Sequence, residues 1–310
     1  MRTYFALRTV SIGKVGGVPR ILLNGKPVFF HGVLDQGYWP DGIFLPGSPD
    51  GYTWDVKTMK DLGFNTIRKH IKIEPERFYY DCDRLGMIVF QDLVNSGEYH
   101  YLRDTAIPTI GGRLATYHEA PSERRRNFFL IHGEQTLAHL HNHPSILLYT
   151  LFNEGWGQHD TRSLYAHFKA LAPDRIWNAA SGWFKCSESD VQSEHIYFGS
   201  LNMRPDGRRP LLLTEFGGYS HSVSDHRFNL DEEYGYQKYA STAALQDALT
   251  RLYRSDILPQ IRKGLCGTIL TQLSDVEDET NGLVTYDRAV VKADAETMQA
   301  IARDLTAAVD

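Results

Sequence analysis

The sequence predicts an α/β fold closed as a (β/α)8 (TIM) barrel, and three observations predict it. Eight short apolar runs rich in β-branched and aromatic residues recur, at 28–33, 65–71, 87–91, 146–152, 176–179, 195–198, 211–216 and 268–273. Segments of helical period separate most of them, the signature of a parallel sheet with helices outside. The chain has 310 residues, 42% of them hydrophobic, enough to build one large core of this kind.

Taken in order, the first helical stripe is Val56, Met59 and Leu62. The second, Phe78, Cys82 and Leu85, opens at Pro75 and closes at Gly86, residues suited to a helix start and stop. Leu164, Phe168 and Leu171 follow Asp160 as a candidate N-cap, and Met298, Ile301 and Leu305 follow Asp294. A closed barrel is favoured over an open doubly wound sheet because no GxGxxG follows the first strand, while the loops after the strands are rich in polar and aromatic residues. The stretches 95–120, 184–194 and 217–235 read as rim loops. Residues 4–12 alternate like a strand and 13–19 are turn-rich, so 1–20 read as the remnant of a preceding β domain and 21–310 as the barrel.

Composition excludes several classes. A formal net charge of −5 offers no basic stripe for a nucleic acid backbone. Cys82, Cys186 and Cys266 lie far apart, which encodes neither a disulfide framework nor a metal knuckle. Neither metal nor cofactor is expected. No apolar run has the length of a membrane span, and no signal-peptide pattern opens the chain, so a soluble protein is expected.

Two strands run into a glutamate. Run 146–152 leads into Asn153, Glu154, Gly155 and Trp156, and run 211–216 carries Glu215 followed by paired glycines. Carboxylates at the C-terminal ends of the fourth and seventh strands suit glycoside hydrolysis with retention, in which one acid protonates the leaving oxygen and the other attacks the anomeric carbon. Trp156, Trp183, Trp39, Tyr38 and Tyr197 fall in loops or at strand ends, where rings can stack on sugar C–H faces.

The segments NGKPVFFHGVL (24–34), GFNTIRKH (63–70), LGMIVFQD (85–92), HNHPSI (141–146) with Asn153 and Glu154, and LLTEFG (212–217) resemble the barrel domain of glycoside hydrolase family 2, a family of β-galactosidases, β-glucuronidases and β-mannosidases. The resemblance runs from about residue 20 to the end. It implies that Glu154 is the general acid/base, that Glu215 is the nucleophile and that Asn153 bonds the sugar 2-hydroxyl. Arg68 would hold Glu215 ionised. His31, Asp35, His70, Asp92 and Tyr197 stand where the family gathers the terminal sugar, and Trp156 and Trp183 would flank it. The family's tryptophan at the end of strand eight is missing; Gln272 or Asp275 is expected to make a polar contact there. By the same analogy a jelly-roll and an immunoglobulin-like sandwich precede the barrel, and an oligomer interface would lie on them.

The expected substrate is a small glycoside or oligosaccharide. A galactoside is favoured because no basic cluster for a uronate stands at the strand ends; glucuronide and mannoside remain alternatives. Two readings of other classes compete. His139, His141 and His143 could bind zinc in a metal-dependent hydrolase, although they precede the fourth strand, on the face opposite the expected site. A sugar-binding barrel without catalysis is the second, and retention of both carboxylates argues against it.

Overall fold

The computed structural model describes residues 3–95, 97, 101–102 and 120–309. An antiparallel sheet of β1 (Val10–Val15), β2 (Val18–Leu23) and β3 (Lys26–Pro27) leads into eight parallel strands: β4 (Phe30–Asp35), β5 (Thr66–Lys69), β6 (Ile88–Asp92), β7 (Ile146–Thr150), β8 (Ile176–Asn178), β9 (Gln192–Ile196), β10 (Leu211–Gly217) and β13 (Leu265–Thr271). Two-residue strands β11 (Tyr219–Ser220) and β12 (Gln237–Lys238) pair on the rim. The hydrogen-bonded order is β8-β7-β6-β5-β4-β13-β10-β9, a nearly closed barrel. Across the seam, the Ser193 hydroxyl of β9 donates to Asn178 Oδ1 of β8 at 3.2 Å and to Ala180 O at 3.0 Å.

All eight expected runs coincide with strands, the sixth only in part, since β9 runs Gln192–Ile196 against an expected 195–198. The last begins three residues earlier than expected because Gly267, a poor strand former, lies inside it. A Cβ there would sit 2.6 Å from Phe30 Cβ, so the close approach of β13 and β4 requires glycine. Strand alternation splits the core into two layers. Phe30, Leu34, Phe90, Leu148, Leu212 and Ile269 fill the barrel, while Val33, Ile67, Val89 and Leu213 pack outward on the helices.

The helices follow the expected stripes. Val56 and Met59 are buried on helix Asp50–Asp61, Phe78 and Cys82 on Glu76–Leu85, and Met298, Ile301 and Leu305 on Ala295–Ala307. Gly86 closes the second of these at φ +70°, a left-handed conformation that costs glycine little. Asp294 caps its helix through Thr297 N. Asp160 does not cap helix Thr161–Leu171; its carboxylate pairs with Arg126 at 2.7 Å, and Leu171 is exposed. No helix among the described residues is long and apolar enough to cross a membrane.

The expected boundary at residue 20 falls inside β2. Residues 3–9 carry no regular structure, and the hairpin that follows is fastened to the barrel floor: Ile21 packs against Phe30, Leu212 and Cys266, and Arg20 donates to Leu265 O and Ile261 O at 2.6 and 2.7 Å. The histidine string lies at the same N-terminal end. His143 Nδ1 is 2.7 Å from Asp83 Oδ2, whose other oxygen accepts from Ser145 N just before β7. Most of the expected loop 95–120 lies outside the described residues.

After β13 the chain crosses the barrel mouth and is clamped by one ion pair. Lys292 Nζ donates to Asp275 Oδ1 at 2.7 Å, His221 O at 2.9 Å and Thr280 O at 3.0 Å, all within the interior. Burial pushes the Asp275 carboxyl up to about 6 despite that ammonium. Lys292→Met would strand the carboxylate, and a loss of roughly 3–5 kcal/mol is expected in urea unfolding at pH 7.5, shrinking at pH 5 where Asp275 protonates. A change below about 1 kcal/mol at both pH values would show that the ion pair is no clamp.

Candidate active site

Arg68 anchors the C-terminal mouth of the barrel. Its place on β5 turns it inward, and the guanidinium meets four partners. Nε and Nη2 hold Asp92 at 3.1 and 2.9 Å, Nη1 reaches Glu215 Oε1 at 2.9 Å and Thr214 O at 3.0 Å, and Nη2 also donates to Asn153 Oδ1 at 2.8 Å. This orients the Asn153 amide, leaving Nδ2 without a partner among the described residues. Glu215, at the end of β10, is 4% exposed. Its second oxygen accepts from Tyr197 OH at 2.6 Å. Burial, with the Glu215 charge next, holds that phenol well above its ordinary range, so it stays a donor.

Glu154 leaves β7 through a turn in which it adopts φ +53°. The next residue has to be glycine: Gly155 lies at φ +75°, and a Cβ there would meet the Phe184 ring at 2.1 Å. A carboxylate oxygen of Glu154, one of Glu215 and a ring nitrogen of His195 all lie within 4.8 Å of one another. The two acids therefore share one mouth, an oxygen of each within 4.8 Å of the other.

His195 stands between them. Nδ1 is 2.7 Å from Glu154 Oε1 and 3.5 Å from Glu215 Oε2, and Nε2 is 2.8 Å from the Ser181 hydroxyl. Burial lowers its pKa to about 4, so the ring is neutral at pH 7. The consistent tautomer donates from Nδ1 to Glu154 and accepts from Ser181 at Nε2. Two carboxylates and an imidazole are also metal-ligand chemistry, but Arg68 already supplies the cation facing Glu215.

Several other expected residues gather here. Asp92 is Arg68's bidentate partner, and His70 Nε2 lies 3.8 Å from Glu215 Oε1 with no hydrogen-bond partner among the described residues. Trp183 packs edge-on to His195 at 6.3 Å. Trp156, next to Gly155, donates from its indole to Gly97 O at 3.0 Å.

Others are drawn elsewhere, and strand parity explains two of them. His31 and Asp35 belong to the outward set of β4, opposite to Phe30 and Leu34. His31 stacks on Phe64 at 4.3 Å and its Nδ1 donates to Gly63 O, while Asp35 pairs with Lys69, which also binds Glu74, behind the barrel wall. Neither reaches the carboxylate pair. Trp39 is buried under Arg288, and Asp275 is held by Lys292. Gln272 stays on the rim with its amide fully engaged: Nε2 donates to Glu279 Oε2 at 2.7 Å and Asn281 Oδ1 at 2.8 Å, and Oε1 accepts from Gln36 at 2.9 Å.

His195, Ser181, Gln36, Glu279 and Tyr236, which stacks on Tyr197 at 4.1 Å, were missed by sequence reasoning. His195 opened an expected strand, and that position was the available signal.

The family model described as glycosyl hydrolases family 2, TIM barrel domain, matches residues 17–299. The chain belongs to that family. A β-galactosidase of Photobacterium profundum is 23% identical over 228 residues, covering 69% of this chain and 20% of the relative. Human β-glucuronidase is 25% identical over 179 residues, covering 54% of this chain and 23% of the relative. The chain thus spans about a fifth of the length of these curated relatives. Among solved structures, a β-D-glucuronidase of Dictyoglomus thermophilum superposes with TM-score 0.72 at 17% identity, covering 98% of this chain and 55% of that one. A family 2 β-galacturonidase of Eisenbergiella tayi, bound to galacturonate, gives TM-score 0.68 at 19% identity, covering 96% and 54%.

In a family 2 barrel, the donor on Glu154 has a measurable consequence. His195→Phe removes a hydrogen bond that favours the ionised form of Glu154, so with Glu154 as the general acid proposed below, the basic limb of the kcat/KM–pH profile should move up by about one unit, with a smaller change in the acidic limb. An unmoved basic limb in a folded variant would show that His195 does not tune Glu154.

Proposed function

We propose that this barrel cleaves terminal β-linked glycosides with retention of configuration. The observation that carries the reading is the Glu154–Glu215 pair, with oxygens within 4.8 Å, standing on two strand ends around one mouth. Glu154 protonates the glycosidic oxygen as Glu215 attacks the anomeric carbon; Glu154 then deprotonates water, which releases the sugar from Glu215. Arg68 and Tyr197 hold the Glu215 oxygens in place, one with a charge and one with a hydroxyl. Asn153 Nδ2 is free to bond the sugar 2-hydroxyl, where hydrogen bonds strengthen in the transition state.

The glycon we favour is neutral and galactoside-like. Among the described residues, the one cation beside the pair, Arg68, is already committed to Asp92 and Glu215, while Lys69, Lys72 and Lys292 are tied to carboxylates of their own. Among the described residues a uronate would find no unspent positive charge there. The solved neighbours named for uronides share too little sequence to transfer their substrate.

Trapping tests the mechanism directly. A 2-deoxy-2-fluoroglycoside should label Glu215, and Glu154→Ala should lose roughly 10²–10⁴-fold on substrates with poor leaving groups, then recover with azide to give a β-glycosyl azide. A label on another residue, or an azide of α configuration, would rule out the retaining assignment.

A further inference from the structure

A third carboxylate enters the site from the chain that crosses the mouth after β13. Glu279 is half-buried, and its backbone is fixed in a tight bridge with Val276, N to O at 2.9 Å and 3.0 Å in return. Two amides converge on one of its oxygens: Gln272 Nε2 at 2.7 Å and Gln36 Nε2 at 3.0 Å both donate to Oε2. The other oxygen, Oε1, accepts no hydrogen bond among the described residues. Gln272 directly follows Thr271, whose hydroxyl bonds the Tyr197 phenol that in turn bonds Glu215, so the cluster adjoins the nucleophile on the β4–β13 side of the mouth. Glu154 and Asn153 stand across from it, on the turn that follows β7.

A network of amides alone would be completed equally well by a glutamine at 279. What glutamate adds is charge, in a mouth where Asp92 and Glu215 already face the single guanidinium of Arg68. Burial raises the Glu279 carboxyl, the two amides lower it and the Glu215 charge raises it, so it lies within the electrostatic reach of the nucleophile. We propose that Glu279 reads the end of the glycon remote from C2, accepting a sugar hydroxyl at Oε1 and barring sugars that carry a carboxylate. This rests on the glycosidase reading above and takes it to one residue. Gln272 and Gln36 act as positioning residues, holding Oε2 so that Oε1 turns toward the ligand.

The test compares the parent and Glu279→Gln on the neutral nitrophenyl β-glycoside the parent cleaves best and on nitrophenyl β-glucuronide. The parent should favour the neutral substrate by about 10³-fold or more in kcat/KM, and the variant should narrow that ratio at least about tenfold, gaining on the glucuronide. Glu279→Asp, which keeps the charge but withdraws it, should retain the exclusion and lose activity on the neutral sugar, and it serves where the glutamine variant is poorly folded. A ratio within about twofold of the parent's in folded Glu279→Gln overturns the proposal. So does a parent that prefers the glucuronide, an outcome that leaves the glycosidase reading intact. A parent that cleaves no glycoside and takes no fluorosugar label brings down that reading, and this proposal with it.

Discussion

One buried cation holds the mouth of this barrel together. Arg68 is 1% exposed and spreads its donors over Asp92, Glu215, the Asn153 amide and a backbone carbonyl of β10, four groups on two other strands and the turn after β7. A buried guanidinium is costly unless its donors are satisfied, and its planar fork is the side-chain shape that can satisfy several fixed acceptors at once. Lysine could match the charge but not the geometry. The same bonds fix which face of Asn153 is turned outward and where Glu215 waits. Preorganisation of the site is thus inseparable from neutralising its own carboxylates.

That arrangement depends on strand parity. Along β5 the inward residue is Arg68 and the outward one Lys69, so adjacent cations serve different ends, one the pocket and one a buried cluster with Asp35 and Glu74. A one-residue slip of β5 would exchange them. The ladders of β5 to β4 and β6, which pair Arg68 with Leu34 and Phe90, are what prevent it.

Parity also marks how far the sequence could be read. Eight apolar runs gave the barrel, and an apolar run ending in glutamate gave each member of the acid pair, because the alternation of buried and polar groups is written directly into neighbouring residues. Asp35 was at the correct strand end yet faced outward, and His31, also outward, lies at the opposite end of β4, distinctions that need the strand's bounds and its register with respect to the interior. The division at residue 20 was drawn at the end of a turn-rich stretch; the pairing of β1 with β2, from Val10 to Leu23, runs across it and is carried by register rather than by local composition. Gln36, Ser181 and Glu279 sit in turns and loops without periodicity, and their positions follow from contacts between segments remote in sequence.

The eighth strand end illustrates the physical trade at such positions. A tryptophan platform recognises the sugar's apolar face and tolerates a range of polar substituents, since stacking carries little directional demand. Here the same corner is built from Gln36, Gln272, Asn281 and Glu279: the Gln36 and Gln272 amides both donate to one Glu279 oxygen, Gln36 also to Gln272 and Gln272 also to Asn281, while the buried Asn281 Nδ2, and Glu279 Oε1, have no partner among the described residues. A polar network of this kind is stable only when its members are satisfied, so each unspent acceptor is a demand placed on the ligand. Polar groups left unpaired penalise a poor ligand far more steeply than lost apolar contact does. The exchange of an aromatic surface for a hydrogen-bonded corner therefore trades breadth of recognition for discrimination, and the charge on Glu279 gives that discrimination its sign.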